Sequence, residues 1–335
     1  MPSRKPRNMV IYLPHALPIW RLPEGYLEKI RKAARVAFDL DVPLTEEAFA
    51  RVLPRTEVLF AWGLAQRHVQ KAEALRWLHT PLAGVDRVLN PELARAPIRL
   101  TSSRGVNSVA VAEHALALTL ALTRGIAAAA RAQSERRWAQ EDLYGRRPPL
   151  EELRGKVLGI LGLGDIGREL AKRGQAFGMT VWGLARRPRS KKEEHVDRML
   201  AAGKEEMLIR NADVLVLAVP LTPATQGIIG ERQLKEMKPS SILINIGRGG
   251  LVQESALIRA LREEWIAGAG LDVVAAEPLP AASPLWTMPQ VVITPHVGGT
   301  HPAYMALSAG LFLKNLKRYL ISDPLLNEVD KLAGY

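Results

Sequence analysis

The chain has 335 residues, 47% of them apolar and 24% charged, with a net charge of +12 and no cysteine. The length predicts two domains, and the apolar and charged fractions are ordinary for a soluble globular enzyme. The missing cysteines exclude disulfides, thiolate metal sites and cysteine nucleophiles, and they accord with a cytoplasmic protein.

No metal site is expected. The most apolar stretch, 115–123, falls well short of the roughly 20 residues of a membrane span. Pro14 and Pro18 interrupt any signal-peptide core near the N-terminus. The positive charge gathers in two local patches, one at Arg4, Lys5 and Arg7 and one over 186–192, and does not form a spread basic face. Neither a membrane nor a nucleic acid is expected as a partner.

In chain order, residues 9–13 predict a first strand. Residues 23–37 predict an amphipathic helix entered through Pro23. Residues 45–51 predict a second helix, with Thr45 as its cap and Glu46 and Glu47 in its first turn. Short apolar strands are predicted at 58–60, 75–78 and 98–101, the second of which is short enough to end a helix instead, with a glycine turn, Leu82-Ala83-Gly84-Val85-Asp86, between the last two. This alternation argues for a parallel α/β unit. Residues 108–123 predict a long helix apolar on nearly every side, hence buried on more than one face. The polar stretch 134–150 reads as an excursion from the domain body. Further strands are predicted at 214–219, 242–245, 268–273 and 291–294, and a closing helix at 302–320.

The chain is organised around residues 155–187. An apolar run at 157–161 is followed by Gly162-Leu163-Gly164-Asp165-Ile166-Gly167, a helical pattern at 168–177, and a second apolar run at 179–184. Strand, glycine turn, helix and strand is the order of a dinucleotide-binding βαβ unit. Gly162 would permit the tight turn, Gly164 the close approach of a pyrophosphate, and Gly167 the close packing of helix on sheet. The first-turn N–H groups, around Asp165 and Ile166, would face the phosphates.

Ligands of open parallel sheets bind beyond the carboxyl ends of the strands. Arg248 follows the strand at 242–245, Glu277 lies a few residues after the strand at 268–273, and His296 follows the strand at 291–294. Taken singly, each is the kind of residue that commonly caps or packs. A basic group, a carboxylate and an imidazole at one sheet edge beside a nucleotide site suggest redox chemistry.

These motifs resemble those of the D-isomer-specific 2-hydroxyacid dehydrogenase family. The resemblance covers nearly the whole chain and is specific from about Gly84 to Gly299. It includes Ala83-Gly84-Val85-Asp86, Val111-Ala112-Glu113-His114, the glycine turn, Pro220-Leu221-Thr222-Pro223-Ala224-Thr225, Asn245–Gly249, Leu271–Pro278 and Thr294–Gly299. It implies two Rossmann-like, doubly wound parallel-sheet domains with the active site in the cleft between them. Residues 1–103 and 299–335 would form the substrate-binding domain, and residues 104–298 the dinucleotide-binding domain. It also implies a homodimer joined through the polar excursion.

By motif position, Arg248 would hold the substrate carboxylate and keto oxygen, His296 would be the acid–base and Glu277 its partner. Backbone N–H groups of Ala83 and Gly84 would also grip the carboxylate. Asp272 would hold the nicotinamide carboxamide, and Val219, Pro220 and Thr225 would line the cofactor. The chemistry agrees: a carboxylate beside an imidazole favours its charged, proton-donating form, and a guanidinium fork suits an α-keto acid.

NAD-preferring members carry an Asp at the end of the second strand of the glycine unit. Here that position is Ala185, followed by Arg186 and Arg187, which resembles the arrangement in NADP-using members. NADP is the expected cofactor, with NAD as a second. The chain has no room after the closing helix for the extra regulatory domain of some phosphoglycerate dehydrogenases, so glyoxylate or hydroxypyruvate is the leading substrate. The alternatives are a phosphoglycerate dehydrogenase-like enzyme and a dinucleotide-binding corepressor, which keeps the same Arg, Glu and His.

Overall fold

The computed structural model describes residues 7–35, 37–146, 148–186 and 193–335. The chain divides into two compact units, residues 1–107 with 301–335 and residues 108–300. The sequence placed the divisions at 103/104 and 298/299. The structure moves them to where regular elements begin, at Ser108, the first residue of a long helix, and at His301, just before the closing helix.

In the first unit five parallel strands, β1 (Arg7–Tyr12), β2 (Phe38–Asp41), β3 (Thr56–Ala61), β4 (Trp77–Thr80) and β5 (Arg99–Ser102), pair in the order β2-β1-β3-β4-β5. Successive side chains of β1 point to opposite faces, and both faces are covered. Val10 packs with Phe49 and Leu93 on one side, and Met9 and Ile11 pack with Ile30 and Phe312 on the other. That is why the strand reads as an unbroken apolar run. Thr45 caps its helix as expected, accepting from the Ala48 N–H at 3.2 Å.

The first predicted helix is shorter than its pattern. Pro23 precedes it, and the helix runs Tyr26–Ala34 behind Gly25, whose φ of +79° starts the turn. The strand at 75–78 shifts to Trp77–Thr80. The residues before it close tight turns, with the Leu75 N–H bonded to the Ala72 carbonyl.

The closing helix, Tyr304–Leu320, completes this unit. Its Ala309, Phe312 and Leu316 recur at helical spacing and are fully buried. Phe312 stacks on Phe60 at 4.6 Å and on Trp77 at 5.2 Å. A polar thread runs through the same core. His79 on β4 meets Thr101 Oγ1 at 2.7 Å and Ser103 Oγ at 3.3 Å, and Ser103 meets Ser308 of the closing helix at 2.7 Å. Complete burial pushes the His79 imidazole down to about 3, so it stays neutral in the fold.

The second unit holds seven parallel strands: β6 (Val157–Leu161), β7 (Thr180–Ala185), β8 (Arg198–Ala201), β9 (Val214–Leu217), β10 (Ile242–Asn245), β11 (Gly268–Leu271) and β12 (Val291–Ile293). Their order is β12-β11-β10-β9-β6-β7-β8. The chain enters in the middle at β6, runs outward through β7 and β8, then returns to the other side of β6 with β9. The strand order therefore reverses between β6 and β9, the doubly wound arrangement whose crevice takes a ligand. The helix Ser108–Thr123 lies against β10, β11 and β12. Glycine makes room for it: a Cβ at Gly270 would come 3.0 Å from the Leu118 Cβ. Among the described residues no single helix is long and apolar enough to cross a membrane.

The polar excursion contains the end of a helix at Ile126–Ser134 and a short helix at Gln140–Tyr144. Leu143 folds back so that its Cδ2 lies 3.0 Å from where a Cβ on Gly125 would stand. Trp138 and Tyr144 remain 90% and 73% exposed.

Candidate active site

The glycine turn leaves β6 and enters the helix Asp165–Ala176. Gly162 has a φ of +107°, and a Cβ there would stand 2.6 Å from the Ala218 carbonyl oxygen. A Cβ at Gly167 would run into the Gly162 carbonyl oxygen. Both positions therefore exclude side chains, for the backbone reasons the motif implied. Gly164 differs: a Cβ there would meet nothing within 4 Å. It is also the helix N-cap, and no side chain bonds the first-turn N–H groups from that position. An open face over a helix N-terminus suits a pyrophosphate, so the residues present fit a dinucleotide.

β7 ends at Ala185, and Arg186 is exposed just beyond it. Arg187 lies outside the described residues. Val219 and Pro220 follow β9, and the Val219 Cγ1 would lie 2.8 Å from a Cβ on Gly162, so Val219 borders the glycine turn. Thr225 closes its own loop, donating to the Pro220 carbonyl at 2.7 Å and accepting from the Thr222 N–H at 2.8 Å.

Arg248 follows β10. Its Nη1 donates to the Gly247 carbonyl at 2.8 Å. The buried Asn245 braces the loop, accepting from the Gly247 N–H at 3.2 Å and donating to the Arg248 carbonyl at 2.9 Å. Gly249 sits where a Cβ would overlap the Val274 carbonyl, so the Arg248 loop and the chain after β11 are in contact.

His296 follows β12, and its Nδ1 lies 2.9 Å from Glu277 Oε2. The structure thus brings together two residues 19 positions apart. His296 has a φ of +54°, a left-handed conformation costing an L-residue roughly 1–2 kcal/mol. The surrounding backbone holds it there. Its N–H bonds the Asp272 carbonyl at 2.8 Å, and the Asp272 carboxylate accepts from the N–H groups of Val297 and Gly298, both at 2.9 Å. Asp272 is 4% exposed. Burial opposes its ionisation. Hydrogen bonds from His114, Thr294, Val297 and Gly298 outweigh that and lower the carboxyl to about 2.

Sequence reasoning had marked Asp272 as a cofactor ligand and missed its bonds to the His296 loop. Asn245, His114 and Thr294 were missed as supports altogether. The available signal, a polar residue at or just past the end of an apolar strand, covers Asn245 and Thr294, whereas His114, on a helix, gave none. Ala83 and Gly84 lie in the first unit, in the turn after β4. Among the described residues no three His, Cys, Asp or Glu side chains cluster closely enough to hold a metal ion.

Residues 116–298 match the sequence model of the D-isomer specific 2-hydroxyacid dehydrogenase NAD binding domain. A glyoxylate reductase of Thermococcus litoralis is 38% identical over 272 residues, covering 78% of this chain and 79% of that one. Among solved structures, a D-isomer specific 2-hydroxyacid dehydrogenase of Xanthobacter autotrophicus in complex with NADPH superposes with a TM-score of 0.81 at 27% identity, covering 98% of this chain and 99% of that one. An NADPH-dependent glyoxylate/hydroxypyruvate reductase of Sinorhizobium meliloti in complex with NADP and sulfate gives 0.79 at 25% identity, covering 99% and 100%.

Proposed function

Because the chain belongs to the D-isomer specific 2-hydroxyacid dehydrogenases, we propose that it reduces a small 2-keto acid, glyoxylate or hydroxypyruvate, to the 2-hydroxy acid with NADPH. The observation that carries the chemistry is the His296–Glu277 contact at 2.9 Å, at the same sheet edge as Arg248 and the glycine turn. Bound reduced nicotinamide supplies the hydride. Arg248 binds the substrate carboxylate with its fork, assisted by the N–H groups of Ala83 and Gly84. Glu277 on Nδ1 leaves the other ring nitrogen, Nε2, to give its proton to the keto oxygen as charge develops there. The first-turn N–H groups at Asp165, Ile166 and Gly167 hold the pyrophosphate, and Val219, Pro220 and Thr225 line the nucleotide. A cytoplasmic location belongs to the same proposal.

Cofactor choice follows from the end of β7. The 2′-phosphate of NADP carries close to two negative charges, and an Asp at position 185 would repel it. Ala185 does not, and Arg186 with Arg187 offers charge-assisted bonds. Replacing both arginines by alanine should weaken NADPH by about tenfold or more per arginine, since each such bond is worth about 1.5–3 kcal/mol, and should leave NADH nearly unchanged. Small 2-keto acids assayed with each cofactor test the whole proposal. A kcat/KM with NADH equal to or above that with NADPH would falsify the cofactor assignment, and no turnover of any 2-keto acid would sink the function.

The protein is also proposed to be a homodimer. Trp138 and Tyr144, exposed on the excursion, are large apolar groups that a partner surface would cover, and a two-fold dimer is the commonest closed assembly. Light scattering at micromolar concentration should give twice the 36.9 kDa chain mass, and a monomeric mass would reject the assembly.

A further inference from the structure

His114 lies on the helix Ser108–Thr123, remote in sequence from the strand ends that carry Arg248, Glu277 and His296. Its Nε2 is 2.8 Å from Thr294 Oγ1 and 3.4 Å from Asp272 Oδ1, and Thr294 Oγ1 is 2.7 Å from Asp272 Oδ1. An ionised carboxylate only accepts, so the Thr294 hydroxyl proton is committed to Asp272. The Thr294 oxygen must then accept from His114, which fixes the His114 proton on Nε2. Beyond Asp272 the chain of bonds reaches the N–H groups of Val297 and Gly298, the two residues that follow His296. The packing is as close as the bonding. A Cβ at Gly298 would stand 2.7 Å from Asp272 Oδ2 and 3.0 Å from His114 Cδ2.

We propose that His114 is a positioning residue for the reaction: by donating to Thr294 it fixes the Asp272 carboxylate under the Val297 and Gly298 N–H groups and so holds the His296 ring against Glu277. Left-handed backbone at a non-glycine residue persists only where its surroundings over-determine it. Asp272, from the end of β11, and His114, from a helix, supply that constraint from outside the loop. The proposal rests on the assignment of His296 as proton donor.

The test compares His114→Phe, which keeps a ring and loses the donor, with His114→Gln, whose amide can donate from a similar place. In the Phe variant, exchange of the Val297 and Gly298 amides should accelerate about tenfold, the equivalent of one hydrogen bond to a charged network. The amides of β10 should be unaffected. The kcat for 2-keto acid reduction should fall by about the same factor, while KM for the keto acid, set by Arg248, changes by less than about twofold. The Gln variant should restore both. Thr294→Val, which removes only the hydroxyl, should reproduce the Phe signature and stands in if His114→Phe does not fold. Wild-type amide exchange in His114→Phe, or equal losses in the Phe and Gln variants, overturns the proposal. Should the wild type reduce no 2-keto acid, the functional assignment fails, and amide exchange still decides whether His114 holds the loop.

Discussion

Replacing His296 by glutamine should lower kcat for 2-keto acid reduction by roughly 10²–10⁴-fold, the usual worth of a positioned acid–base group. Glutamine matches histidine in reach and keeps a hydrogen-bond donor, so substrate can still be oriented. It has no proton to surrender, so charge developing on the substrate oxygen goes unneutralised. The site is open enough to take the change, because the His296 side chain is 39% exposed. Cofactor affinity should stay near normal, since the glycine turn and the end of β7 are untouched. Loss of kcat with an intact cofactor dissociation constant, read by nucleotide fluorescence, is the expected pattern. An unchanged kcat would remove His296 from the mechanism and leave its contact with Glu277 a structural one.

Arg248→Lys should raise KM for the 2-keto acid by roughly ten- to hundredfold, with a smaller effect on the cofactor. The guanidinium of Arg248 already spends one nitrogen, bonded to the Gly247 carbonyl at 2.8 Å. That bond helps to orient the guanidinium plane. An ammonium is a point charge without a plane, so lysine can keep the charge and loses the paired geometry. The Asn245 brace bonds only backbone atoms of this loop, so it survives the substitution and the loop should keep its path. Steady-state kinetics over a range of keto-acid concentration measures the effect. If cofactor affinity proves the main casualty, Arg248 belongs to the nucleotide site.

Much of the second unit is legible in the residues alone. β6, β9, β10 and β11 are buried along nearly all of their length, so each reads as an apolar run, broken only at Asn245, the last residue of β10. The glycine turn is legible because its constraints are local: a positive φ at Gly162 and the contact between Gly167 and the Gly162 carbonyl involve neighbours within a few residues. Arg248, Glu277 and His296 could be placed after their strands because a strand end is a sequence feature.

β2 and β8 were not legible. Both are four-residue edge strands with a single fully buried side chain each, Phe38 and Leu200, so an apolar run is missing. The short helices Glu205–Asn211 and Glu231–Glu236 were missed for a related reason: fewer than two full turns show too little period to read.

Chain composition and local pattern thus determined most strands of the parallel sheets, the nucleotide turn and the residue types at the sheet edge. Tertiary structure alone decided which atoms meet. His296 Nδ1 reaches Glu277 only because β11 and β12 pair in one register, Ala269 with Val291 through Leu271 with Ile293. His114 reaches Thr294, 180 residues away, only because its helix lies across those strands. Leu143 turns inward only because Gly125 leaves it a space. Periodicity records whether a side chain is buried, whereas its partner is set by strand register and helix placement, which are properties of the packed whole.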